Sequence, residues 1–178
     1  AGAGKAPRLP PALLGQSWLG TQRVIMLEPR RIAARSAALF MASAMAEPVG
    51  ERVGYRIRFE SRVSERTRIE VVTEGILTRL ILDDPGLDGV GAVLFDEFHE
   101  RHLSADLALA LALDVQAQLR PDLRIVVMSA TLDGDRLAQQ LDAPRLSSAG
   151  RSFPVRIFHP PRPGNEPDEA QLRRTVDL

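Results

Sequence analysis

Asp96 and Glu97 stand side by side after an apolar run, Val93-Leu94-Phe95, and His99 follows two residues beyond Glu97. Two acids delivered to the end of a buried strand can hold a divalent cation and draw a proton from water. Lys5, the only lysine, follows Gly2-Ala3-Gly4 and precedes Ala6. Small residues there let backbone N–H groups crowd round phosphate oxygens while the ammonium reaches the terminal phosphates. Ser129-Ala130-Thr131 sets hydroxyls after another apolar run, and Arg30, Arg31 and Arg35 open a helical stretch behind Pro29. Cations at a helix N-terminus are disfavoured by roughly 0.3 kcal/mol or more unless an anion is held there. Phosphate and cation chemistry is the reading these groups share. Each taken alone also reads plainly, as a frayed terminus, a solvated basic corner or a strand running into a polar loop.

Two other chemistries fit less well. His99, Glu100 and His102 invite a zinc hydrolase, but the helical signature His-Glu-x-x-His needs one more residue between the imidazoles. A serine hydrolase elbow fails because Leu19 stands where the second glycine after Ser17 belongs.

The elements that position these residues alternate. Arg23–Leu27 and Gly91–Phe95 are compact apolar runs that read as buried strands, as does Leu123–Met128. Ile69–Thr73 is another short strand, and Val53–Phe59 alternates, with Val53, Tyr55, Ile57 and Phe59 on one side and Arg56 and Arg58 on an open face. Helical spacing predicts a helix after Pro29 with Ile32, Ala33, Leu39 and Phe40 as its apolar positions, and a second through Ile76, Leu77, Leu80 and Ile81. Leu103–Leu113 is rich in Ala and Leu and predicts a buried helix that Ser104 caps. Residues 132–141 predict a short helix, 60–66 a loop, and 8–19 a short or broken helix interrupted by Pro10 and Pro11. Alternation from residue 23 to 141 predicts an α/β fold, a three-layer, mostly parallel sheet with helices on both faces. In such sheets ligands bind off the carboxyl ends of the strands, where the Gly2-Ala3-Gly4-Lys5 loop, Asp96-Glu97 and Ser129-Ala130-Thr131 converge.

The 178 residues suit one domain, and 44% hydrophobic with 26% charged residues is ordinary for a globular chain. Zero formal net charge excludes a global basic field, although a local arginine track remains open. The absence of cysteine fits a reducing compartment, so a cytoplasmic location is expected, and no apolar run reaches membrane-spanning length. The chain lacks an initial Met and reads as a segment of a longer protein. Its domain is expected to run to about residue 158, with the proline-rich stretch 159–178 as a linker and the start of the next domain.

Five motifs now stand in order: Gly2-Ala3-Gly4-Lys5, Pro29-Arg30-Arg31-Ile32-Ala33-Ala34-Arg35, Thr73-Glu74-Gly75-Ile76-Leu77, Asp96-Glu97-Phe98-His99-Glu100-Arg101 and Ser129-Ala130-Thr131-Leu132. Along essentially its whole length the chain resembles the first RecA-like domain of a DEAH-box ATP-dependent helicase of superfamily 2. Phe98, with the segment Gly54-Tyr55-Arg56-Ile57-Arg58-Phe59-Glu60, is most similar to the HrpB-type bacterial branch.

The resemblance implies a P-loop NTPase whose cofactors are ATP and Mg²⁺. Gly2, Ala3, Gly4, Lys5 and Ala6 would form the nucleotide-binding loop, Asp96 would hold Mg²⁺ through water, and Glu97 would orient and deprotonate the attacking water. His99 would link that site to a second RecA-like domain of the full-length chain, Ser129, Ala130 and Thr131 would couple hydrolysis to movement, and Arg30, Arg31, Thr73 and Gly75 would track a single strand of RNA or DNA. No membrane partner is implied. Two departures stand out: Ala6 and Pro7 follow the lysine where the family has a hydroxyl, and the fold would lack its first strand. Two other readings remain beside the helicase: a nucleic-acid or partner-binding module with a decayed ATPase, and a non-helicase P-loop ATPase.

Overall fold

The computed structural model describes residues 5–130 and 134–147, with the side chains of Lys5 and Ala6 left out. Gly2, Ala3, Gly4, Thr131, the return through Arg151 to Val155 and the 159–178 segment lie outside the described residues.

Six strands form one open sheet in the order β3-β2-β4-β1-β5-β6. They are β1 (Arg23–Leu27), β2 (Val53–Ile57), β3 (Glu60–Arg62), β4 (Ile69–Val72), β5 (Val90–Phe95) and β6 (Arg124–Val127). Every pairing is parallel except that of β2 with β3. The three central strands are buried along most of their length, as continuous Val/Ile/Leu runs require when helices cover both faces. α1 (Lys5–Leu13) and α2 (Arg31–Ala44) cover one face, over Val24, Met26, Val71 and Leu94. α3 (Glu74–Asp83) and α4 (Leu103–Gln118) cover the other, over Ile25, Leu27, Val93 and Phe95, with Leu137 of α5 (Gly134–Gln140) against them. The predicted architecture is the observed one.

Several local expectations are corrected. α2 turns its alanines, Ala34, Ala38 and Ala42, with Met41, onto the sheet, and leaves Ile32, Leu39 and Phe40 exposed. α4 does the same with Ala105, Ala108 and Ala112 beside Leu109 and Val115, so it is half-buried, with Leu103 and Leu107 exposed. Its N-cap is His102, and the Ser104 hydroxyl donates to Glu74 instead. Residues 60–62 extend and pair as β3, because the chain turns back at Phe59, which has φ 69° and lies outside the strand. α1 runs unbroken with Pro10 and Pro11 inside it, since it ends within three residues of them and packs Leu9 and Leu13 against the core. β6 is an edge strand, Arg124 exposed and Ile125 to Val127 only half-buried, whereas the sequence reads as fully buried.

Polar groups pin the sheet away from the site. Glu70, 1% exposed in β4, is paired with Arg56 at 2.8 Å and Arg23 at 3.7 Å, which offsets the cost of burying its charge. At the amino end of β5, Arg120 donates to the carbonyls of Gly86 (2.9 Å), Leu87 (3.1 Å) and Val90 (3.0 Å) and pairs with Asp122. No described helix is long and apolar enough to cross a membrane.

Candidate functional site

The register of the central strands builds the site. Leu27 lies opposite both Val72 and Phe95, and Phe95 opposite Val127, so four strands end level. The chain leaving β5 is then fastened on both sides: Asp96 N–H donates to the Leu27 carbonyl at 3.0 Å, and Phe98 N–H to the Met128 carbonyl at 3.1 Å. Asp96 is 9% exposed. Glu97 takes a left-handed conformation, φ 48° and ψ 31°, before the single 3-10 turn Phe98–Glu100, and its side chain stays accessible. A left-handed non-glycine residue is uncommon, and it re-aims the side chain relative to the strand.

His99 joins this turn to the end of β6. Ala130 N–H donates to His99 Nδ1 at 3.4 Å, and His99 Nε2 lies 3.2 Å from Glu97 Oε2. An Nδ1 that accepts leaves the proton on Nε2, facing the Glu97 carboxylate. Four sequence-predicted residues, Asp96, Glu97, His99 and Ala130, are thus brought together, with Ser129 between Met128 and Ala130. Lys5 opens α1, which packs on α2 and β1.

Glu28 is the site residue that sequence reasoning missed. It follows β1 as Asp96 follows β5, so the Leu27–Phe95 register sets the two carboxyls side by side. It is 5% exposed, and its carboxyl is pushed from the ordinary 4.5 up to about 8, first by burial, then by the charge of Asp96 and a hydrogen bond with it. Glu28 therefore carries a proton at neutral pH and donates to the Asp96 carboxylate. Only a strand register, which no spacing in the chain declares, could have found it.

The arginine and threonine positions lie at two helix starts on the same edge. Arg30 is the N-cap residue of α2 and Thr73 that of α3, and neither makes a side-chain capping hydrogen bond. Arg30 is paired with Glu100, while Arg31 Nη2 donates to the Arg58 carbonyl at 3.1 Å. That contact brings the β2–β3 turn alongside: Phe59 is 87% exposed, with the Arg58 guanidinium 4.7 Å from its ring centre. Gly75 is exposed, and a Cβ built there would meet nothing within 4 Å.

No family model matches the sequence. The "ATP-dependent RNA helicase HrpB" of Escherichia coli strain K12 is 54% identical over 99% of this chain. The crystal structure of the Escherichia coli DEAH/RHA helicase HrpB superposes with a TM-score of 0.86 at 52% identity over 99% of the chain. The chain belongs to the HrpB-type DEAH-box helicases. A second crystal structure, described as the E. coli DExH-box NTPase HrpB, gives a TM-score of 0.81 at the same 52% identity. The chain spans only 22% of the K12 helicase, and 23% and 22% of the two crystallised chains. In this DEAH-box chain the named box is Asp96-Glu97-Phe98-His99.

The box residues fit a magnesium site of one kind. Among the described residues no three His, Asp or Glu side chains converge as a cage. Asp96, with Glu28 holding a proton beside it, offers a single carboxylate. Mg²⁺ commonly takes one or two carboxylates and completes its octahedron with water and substrate phosphate, so this donor set suits an ion that arrives with a nucleotide.

Proposed function

We propose that the chain is the first RecA-like domain, residues 1–158, of an ATP-dependent helicase that binds ATP with Mg²⁺ and tracks one strand of RNA or DNA, with 159–178 leading to the next domain. The observation that carries the reading is the His99 bridge. It ties Glu97, after β5, to Ala130, after β6, so the acid nearest the proposed chemistry is linked to the segment proposed to move.

ATP bound with Mg²⁺ supplies a polarised terminal phosphate for in-line attack by water. Phosphoryl transfer asks mostly for positioning and charge neutralisation from the protein. Asp96, anchored through its N–H to Leu27, would hold the ion through water. Glu97 would orient the attacking water and take its proton, with His99 Nε2–H holding that carboxylate in place. Lys5 with Gly2, Ala3, Gly4 and Ala6 would cradle the phosphates, although Ala6 supplies no hydroxyl to the ion. Ser129, Ala130 and Thr131 would pass the state of the site to the second RecA-like domain.

The uncapped starts of α2 and α3 support a nucleic-acid path over Arg30, Arg31, Thr73 and Gly75, because free N–H groups there suit phosphate oxygens. Exposed Phe59, beside Arg58, would add a face on which a base can stack. Backbone tracking of this kind carries no base sequence information.

In the full-length protein, Glu97→Gln is expected to keep ATP affinity and to lower turnover by about 10²–10⁴-fold, the usual contribution of a general base. Turnover near the parent rate would sink the assignment of Glu97. Turnover absent from the parent itself, with nucleotide binding indifferent to Mg²⁺, would favour the decayed-ATPase reading that Ala6 suggests.

A further inference from the structure

His102, the N-cap residue of α4, has no part in the site proposed above, yet it stands between two of the segments that site involves. Its Nδ1 is 3.3 Å from Glu74 Oε1 and its Nε2 is 3.4 Å from Glu100 Oε2. Both of those oxygens are shut off from solvent and have no hydrogen-bond partner. The other oxygen of each carboxylate is engaged elsewhere, Glu74 Oε2 by the Ser104 hydroxyl and Glu100 Oε1 by Arg30. Glu74 is the first residue of α3, directly after Thr73, and Glu100 closes the 3-10 turn after Glu97.

An imidazole with one proton can offer N–H to only one carboxylate, and its other nitrogen then turns a lone pair toward the second. A ring with both protons attracts both, and satisfies both orphaned oxygens. The geometry points to His102 as a cationic clasp that fastens the start of α3 to the turn after the DEAH box, and so couples strand binding to hydrolysis. It is a positioning residue, acting through Glu74 and Glu100. The charged groups facing it are Glu74 from α3 and Glu100 from the turn, with Arg30 behind Glu100 from the start of α2. Its neighbour Arg101 is directed to Asp106 instead. The inference rests on the proposed strand path over Thr73, Gly75 and Arg30.

The test uses the full-length protein as parent, His102→Ala and His102→Arg. ATP turnover is measured with and without single-stranded polyuridylate from about pH 6 to about pH 9, across the range where histidines change charge. Amide exchange is followed at Ile76 and Leu77, whose N–H groups donate to the Thr73 carbonyl in the first turn of α3. His102 is 43% exposed in its side chain, so the substitutions leave the core intact.

In the parent, stimulation by RNA should fall as pH rises. His102→Ala should lose at least about fivefold of that stimulation, the lower end of coupling between sites, with unstimulated kcat and the KM for ATP unchanged. Its remaining stimulation should be flat with pH, and exchange at Ile76 and Leu77 should quicken. His102→Arg, a fixed cation, should keep stimulation at every pH. Parent-like stimulation in His102→Ala, or Ala-like behaviour in His102→Arg, overturns the proposal. RNA that stimulates no turnover in the parent overturns the strand path, whereas unchanged amide exchange in His102→Ala overturns the clasp itself.

Discussion

Glu28 ties a single proton to the stability of the whole domain. Its carboxyl titrates at about 8 in the fold against an ordinary 4.5, so between those values the folded state holds a proton that the unfolded chain has released. The stabilisation is whole below about pH 4.5, declines as pH climbs through the window, and is gone above about 8. In metal-free buffer, Glu28→Gln keeps a donor toward Asp96 without a titratable proton. Thermal melts are expected to show the parent losing Tm across that window and the variant losing less; parallel curves would refute the shared proton. At this scale the sequence was most legible where neighbours in space are neighbours in the chain. Asp96, Glu97 and His99 fall within one turn, and their order along the chain predicts their proximity. Glu28 and His102 act through partners on other strands and helices, and a linear sequence carries no trace of a parallel register or of two carboxylates meeting across α3 and the 3-10 turn.

α2 shows why an apolar pattern can name a helix and still misjudge its face. Ile32, Leu39 and Phe40 are the largest apolar residues of its helical pattern, yet the helix lies on Ala34, Ala38 and Ala42, because small residues let it approach a sheet already filled by Val24, Met26, Val71 and Leu94. Ala38→Leu should therefore cost about 1–3 kcal/mol through overpacking, while Phe40→Ser changes stability little, both read from denaturant midpoints. A larger loss at Phe40 than at Ala38 would reverse the assigned face. Gly54 in β2 imposes a similar limit. A Cβ there would stand 2.3 Å from the Arg62 carbonyl oxygen and 2.9 Å from Val63 Cγ1, so Gly54→Ala is expected to push β3 away and destabilise the β2–β3 hairpin. Alternation along Val53–Ile57 revealed the strand, but nothing in it revealed that residues 60–62 would fold back so closely.

The whole sheet has two unequal edges. β3 is short, whereas β6 presents four residues, three of them half-buried apolar side chains, and among the described residues it has β5 on one side and no strand on the other. An open, apolar edge is a template for pairing with another chain. The segment alone is expected to self-associate at about micromolar concentration, seen by sedimentation, and a longer form whose upstream residues add a strand beside β6 is expected to stay monomeric and melt higher. A monomeric segment would remove this expectation. The far end of β5 is different. Arg120 locks the carbonyls of Gly86, Leu87 and Val90 there, while the tops of β1, β4, β5 and β6 stand level. A strand bolted at its foot and hydrogen-bonded along both flanks cannot slide lengthwise. Any stroke made by the segment from Asp96 to His102 has to be a swing, and Glu97, already wound to a left-handed φ, stands where its pivot would be.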